Sequence, residues 1–279
     1  MLRTRIITAT TLLVLFILVF TLLDESQFGW VMLAVSVLAA EEWGRLSFPS
    51  SKPKKWLFVA FISASMVAIL LASPVLLEYL VLCGAAAWLL APLLLRRWAG
   101  QHTVVASAPL VGLVCILPTF CAIVLLRGLS NGAAVMFFLW AMLFAIWAAD
   151  VGAYFAGKAF GRTRLAPLIS PKKTWEGLFG GLALNQFIAV VFWYFYPGET
   201  PLPLVSWLVV CLLAAVFSVF GDLLVSVFKR MAGVKDSGRI LPGHGGVLDR
   251  IDGVMAGSPV FVTALYLFDF PGIEFALSG

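Results

Sequence analysis

Apolar runs of about 20 residues recur along the whole chain, and charges gather in the gaps between them. A helix needs about 20 apolar residues to cross roughly 30 Å of hydrocarbon. A single globule of 279 residues could not bury so many such runs. Soluble domains carry about 25% charged residues, whereas this chain carries 12% and is 62% hydrophobic. The bilayer must therefore act as its solvent. In lipid the backbone must satisfy its own polar groups, which favours a helical bundle.

Reading the runs and the breaks between them gives an all-α polytopic bundle of about nine transmembrane helices. They lie near 6–23, 28–44, 56–72, 75–95, 104–126, 132–149, 178–196, 204–228 and 254–270. The first run follows Arg3 and Arg5, as in a secretory signal. It is longer than a signal's usual core and ends in Asp24-Glu25-Ser26 without a small-residue cleavage pattern, so it reads as a retained span. Ser73-Pro74 reads as a tight turn. With the N-terminus cytoplasmic, nine spans put the C-terminus in the periplasm. Every Lys and Arg except Arg127 then falls on the cytoplasmic side, as the positive-inside rule requires. The expected external connections are short, at 24–27, 73–74, 127–131 and 197–203.

Two regions follow: N-terminal spans over 1–130, about five helices, and a catalytic membrane region over 131–279. The second region holds the two longest polar connections, 150–177 and 229–253, both cytoplasmic in this reading. Cys83, Cys115, Cys121 and Cys211 lie inside apolar runs and read as core hydrophobes, with no disulfide framework or zinc site. The net charge of +5 reflects the topology bias and attraction to anionic lipid. No nucleic-acid module or repeat is present in the sequence.

In the first polar connection, Asp150 closes the sixth run. An ionisable group at a membrane boundary is costly and points to function, the alternative being a plain interface residue. Ser170-Pro171-Lys172-Lys173-Thr174-Trp175-Glu176-Gly177 reads as a helix start whose free amides and two Lys could hold phosphate. The alternative is topological punctuation.

The second connection is richer. Asp222, Ser226, Lys229 and Arg230 share one helix face, and Asp249 and Asp252 are one turn apart. Carboxylates at membrane depth need a cation or metal partner. With the neighbouring Lys and Arg they suggest a metal–phosphate site, and magnesium prefers a few carboxylates plus phosphate oxygens. The glycines of Pro242 to Gly246 allow close approach and an anion-binding nest. His244 could be a phosphate donor, an acid or a solvated loop residue.

The run Ser226-x-x-Lys229-Arg230-x₄-Lys235-Asp236-x-Gly238-x₃-Pro242-x-His244-Gly245-Gly246-x-x-Asp249-Arg250-x-Asp252 resembles the pattern of the phosphatidate cytidylyltransferase (CDP-diacylglycerol synthase) family. Gly221-Asp222 and the Ser170 to Gly177 stretch resemble that family too, and its length and polytopic character match essentially the whole chain. The resemblance implies that the phosphate of phosphatidic acid attacks the α-phosphorus of CTP and pyrophosphate leaves. It implies magnesium, with a second cation an open alternative, and a place in the bacterial inner membrane with the active site facing the cytoplasm. Asp222 and Asp249 are implied as metal ligands with Asp252 in support. Lys229, Arg230, Lys235 and Arg250 are implied at phosphates, and Lys172 and Lys173 at nucleotide or lipid phosphate. Ser226, Asp236, Gly245 and Gly246 are carried as substrate-binding positions and His244 as catalytic. Deoxy-CTP as a second nucleotide, a homodimer, and the roles of Asp150, Tyr154 and Glu176 stay open.

Two rivals compete. An anion transporter would suit intramembrane carboxylates and broken helices, but the charges gather at one face and no inverted repeat is visible. A CDP-alcohol phosphotransferase would begin its motif Asp-x-x-Asp-Gly, as Asp249 to Gly253 does. The Ala-Arg and further Asp residues expected next are missing: Ala256 precedes Gly257, and the sole Asp beyond is Asp269.

Overall fold

The computed structural model describes residues 2–128, 133–198, 202–270 and 276–278. Its helices, in chain order, are α1 Leu2–Leu22, α2 Glu25–Ser47, α3 Lys52–Leu70, α4 Pro74–Trp88, α5 Ala91–Trp98, α6 Ala108–Gly128, α7 Ala133–Phe160, α8 Trp175–Tyr194, α9 Leu204–Met231 and α10 Leu248–Leu267. Five of these, α3, α6, α7 from Met136, α8 and α9, are long and apolar enough to cross a membrane. The α4–α5 pair qualifies as one span bent by 48°. The bend has a local cause. Pro92 stands at the start of α5, and without an N–H it cannot continue the ladder of α4. By contrast α2 carries Glu41, Glu42 and Arg45, and α10 carries Asp249, Arg250 and Asp252.

The polar connections are shorter than 150–177 and 229–253. α7 continues past Asp150 to Phe160, and α9 continues through Lys229 and Arg230 to Met231. The cause in α7 is packing against α8. Gly152 and Gly181 carry no side chain, and a β-carbon on either would meet the opposing backbone at Gly180 O or Ala149 O. A second departure lies at 170–177, where no helix starts at Ser170. Strand β1, Arg164–Ala166, pairs antiparallel with β2, Ser170–Thr174, setting Arg164 opposite Thr174. Pro171 is thus a strand residue, and α8 begins after Thr174, whose hydroxyl accepts from Gly177 N at 3.1 Å. Glu176 accepts from the amides of Arg162 and Thr163, both at 3.1 Å, and closes the hairpin onto the helix. The connections expected at 127–131 and 197–203 lie partly outside the described residues, as do the side chains of Arg3 and Arg5.

Helix ends meet in two separate layers. In one, Trp43 Nε1 donates to Ala108 O at 2.8 Å, Lys55 pairs with Glu41 at 2.9 Å, and Trp98 lies edge-on to Phe228. In the other, Arg127 donates to Leu23 O at 2.9 Å and Trp193 to Leu202 O at 2.8 Å. Glu78 of α4 joins this second layer by accepting from the amides of Ala276 and Leu277, in a short 3₁₀ turn. Between the layers, α6 is tied to α10 by Thr119, whose hydroxyl lies 2.6 Å from Cys115 O and 2.9 Å from Met255 O. The α9–α10 contact is among the most extensive in the bundle, and it carries the charged residues of the second polar connection.

Candidate active site

The site is built where the C-terminal end of α9 lies against the first turn of α10. Helical spacing turns Lys229 inward at the end of α9, and it is 8% exposed. Its ammonium lies 2.7 Å from Asp249 Oδ1. The other oxygen of Asp249 accepts from Ser237 N at 2.9 Å and Gly246 N at 3.0 Å. A carboxylate receiving charged and backbone donors together is strongly held. Burial pushes the Asp249 carboxyl up, but the Lys229 ammonium and the Gly246 and Ser237 amides outweigh it. The group is held below the usual carboxylate range and stays ionised.

Two turns back on α9, Asp222 pairs with Lys173 of β2 and accepts from Ser226 at 3.3 Å. The first connection is thereby pinned to the second. Asp150, Asp222, Asp249 and Asp252 line one cavity of about 580 Å³. Lys158, Arg164, Lys172 and Lys173 face them, while Leu178, Leu182 and Val219 supply an apolar wall. A second, more open cavity of about 600 Å³ lies on the 232–247 loop. It is lined by Lys235, Asp236, Arg239, His244, Gly245 and Arg250 among others. Gly243 and Gly245 take φ of 75° and 81°, left-handed values that favour glycine. The turn they make brings Leu241 N to Gly245 O at 3.0 Å, and Arg250 Nε donates to His244 O at 3.1 Å.

Most of the expected residues thus divide between two cavities, with Asp249 in the wall of the first and bonded into the loop of the second, while Ser226 and Gly246 line neither and instead donate to Asp222 and Asp249. Lys229 lines neither, and its ammonium is bonded to Asp249. Arg230 points away; it lines a small pocket with Trp98, Gln101 and His102. Asp150 and Tyr154, which had no assigned role, line the first cavity. The largest omission of the sequence reading is Glu42 on α2, fully buried beneath the 232–247 loop. Two adjacent carboxylates, Glu41-Glu42, at the end of an apolar run were the available signal.

Among the described residues, no three His, Cys, Asp or Glu side chains converge as a complete metal cage. Magnesium binds through one or two carboxylates and completes its shell with water and substrate phosphate. Asp222 and Asp252 line one cavity wall, with the Asp222 oxygens engaged by Lys173 and Ser226 and one Asp252 oxygen by Gly253 N. Asp249 could join only by sharing oxygens already engaged by Lys229, Ser237 and Gly246.

The sequence profile of the cytidylyltransferase family matches residues 3–268. A phosphatidate cytidylyltransferase of Pseudomonas aeruginosa is 38% identical over 275 residues, covering 95% of this chain and 97% of that protein. Phosphatidate cytidylyltransferases of Haemophilus influenzae and Bacillus subtilis are 44% and 45% identical, over 128 and 123 residues. Those matches cover 45% and 44% of this chain, and 44% and 45% of the respective relatives.

Proposed function

The chain belongs to the cytidylyltransferase family, and from that premise we propose that it is a phosphatidate cytidylyltransferase working at the cytoplasmic face of a bacterial inner membrane. The observation that carries the proposal is the pairing of an apolar-walled cavity between α7, α8 and α9, where four Lys or Arg face four Asp, with a cationic glycine loop beside it. An amphiphile with a phosphate head fits the first, where Lys172, Lys173 and Arg164 stand above Leu178 and Leu182. A soluble triphosphate fits the second, where Lys235, Arg239 and Arg250 surround loop amides.

The lipid phosphate oxygen is already ionised near neutral pH, so the attack needs no side-chain nucleophile. A bond forms from that oxygen to the α-phosphorus of CTP, the α–β anhydride bond breaks, and pyrophosphate departs. The chain's task is in-line positioning and neutralisation of charge. Lys173, held by Asp222, is aimed into the first cavity. Lys229 keeps Asp249 ionised, and Asp249 fixes the Ser237 and Gly246 amides that shape the loop. Magnesium held by Asp222 and Asp252, with Asp150 nearby, would neutralise phosphate charge when bound.

The test is conversion of labelled CTP and phosphatidic acid to CDP-diacylglycerol by purified protein in detergent, with magnesium or EDTA. Product is expected with magnesium, lost with EDTA, and lowered about 10²–10³-fold in Asp249→Ala. Transport is impossible in detergent. Folded wild type that makes no product across lipid compositions would sink the enzyme reading and move the transporter reading to first place.

A further inference from the structure

We propose that Glu42, on a helix far from the catalytic motif in sequence, is the positioning residue that sets the 232–247 loop and the start of α10, and so the placement of Asp249. The inference rests on the cytidylyltransferase reading of the site and adds a residue to it. Glu42 is fully buried. It accepts from Ser237 Oγ at 2.7 Å, Val247 N at 2.9 Å and Leu248 N at 2.9 Å. Its bonds to the two amides span 205 and 206 residues of sequence.

The chemistry explains why a carboxylate is needed. The first amides of a helix have no partner inside it, and α10 has no capping bond from its own N-cap residue, Val247. Glu42 supplies the missing acceptor from another helix and puts negative charge at the positive end of the α10 dipole. All three partners are donors, and an ionised carboxylate is an acceptor only. An amide side chain of the same shape would turn an NH₂ group toward one of them. The loop is also moulded on the group: a β-carbon on Gly238 or Gly246 would collide with the Glu42 carboxylate. Leu248 and Ser237 are bound by Glu42, while Asp249 binds Ser237 N and Gly246 N. The two carboxylates therefore hold the same turn from opposite sides. Glu42 lines neither the 580 Å³ cavity nor the loop cavity, so it acts through the loop and not on substrate.

The experiment compares wild type, Glu42→Gln, Ser237→Ala and, as control, Glu41→Gln, whose carboxylate pairs with Arg45 and Lys55 and not with the loop. Each is purified in detergent, assayed for KM with each substrate and for kcat, melted, and cut with trypsin at the exposed Lys235 and Arg239. In Glu42→Gln, kcat is expected to fall about 10–100-fold. The KM for CTP should rise about tenfold while that for phosphatidic acid stays within about threefold, and cleavage should accelerate about tenfold. Ser237→Ala should move the same quantities by a smaller factor, and Glu41→Gln should leave them within about twofold. A merely structural role would lower the active fraction and the melting temperature, leaving both KM values and the cleavage rate of the folded protein unchanged. That result overturns the proposal, as does wild-type behaviour of Glu42→Gln. If Glu42→Gln does not fold, Ser237→Ala decides on the same readouts. A wild type without activity would sink the enzyme reading, while the cleavage rates would still decide whether Glu42 holds the loop.

Discussion

At the residue scale the site turns on a few charges taken out of water in pairs. Lys229 and Asp249 are each largely buried, with side chains 11% and 8% exposed. Removing one member leaves the other uncompensated, which costs about 3–5 kcal/mol in buried pairs. Lys229→Met should therefore melt well below wild type and lose about 10²–10³ in rate, whereas Arg230→Met should stay near wild type in melting temperature because that side chain faces outward. Thermal melts in detergent beside turnover check both. Charged side chains in an apolar run are costly and stand out in a sequence, which is why Asp222, Lys229, Asp249 and Asp252 were legible. Glu42 is equally costly but was missed, because its partners lie some 200 residues away and local spacing carries no trace of them. Its three donors are two backbone amides and one hydroxyl, none of which is conspicuous in a sequence.

At the scale of elements, the apolar runs located the helices well and their ends badly. Asp150 looked like the end of a span because a charge follows an apolar run, yet α7 continues for ten further residues to Phe160. That extension is favoured by contact with α8 through small residues, a tertiary cause invisible to local hydropathy. Ser170-Pro171 resembled a helix start because Pro is tolerated there, but Pro is equally tolerated in an edge strand, and pairing with Arg164–Ala166 decided the matter. The true start of α8 is set by Thr174, so Thr174→Ala should destabilise by about 1 kcal/mol. It should also loosen the hairpin that presents Lys172 and Lys173. Gly181→Leu tests the crossing itself. A side chain there meets the α7 backbone at Ala149 O, and overpacking of this kind costs about 1–3 kcal/mol. The variant should melt earlier and bind phosphatidic acid more weakly, because α7 and α8 form the cavity walls; melts and the KM for the lipid would show both effects.

At the scale of the whole molecule, the two layers of helix-end contacts bear on how many times the chain crosses the membrane. Glu78, near the start of α4, touches Ala276 and Leu277 in one layer. Trp98, at the end of α5, touches Phe228 in the other. The next helix, α6, begins in that second place, with Ala108 O bonded to Trp43. A re-entrant α4–α5 loop would return to the layer it left; this pair does not, so its 48° bend reads as a kink within one crossing. In the proposed topology that pair counts once, the helices alternate between layers, and the layer holding Lys173, Lys229 and the glycine loop is expected on the cytoplasmic side. Cysteine labelling in a background lacking Cys83, Cys115, Cys121 and Cys211 tests the arrangement. An impermeant maleimide should label Ser73→Cys in spheroplasts, and Gln101→Cys and Arg239→Cys only after the membrane is opened. Labelling of Gln101→Cys together with Ser73→Cys in sealed spheroplasts would make α4–α5 re-entrant and reduce the crossings by one. The chain's two ends would then lie on the same side, and Arg96 and Arg97 would move to the outer face against the charge bias.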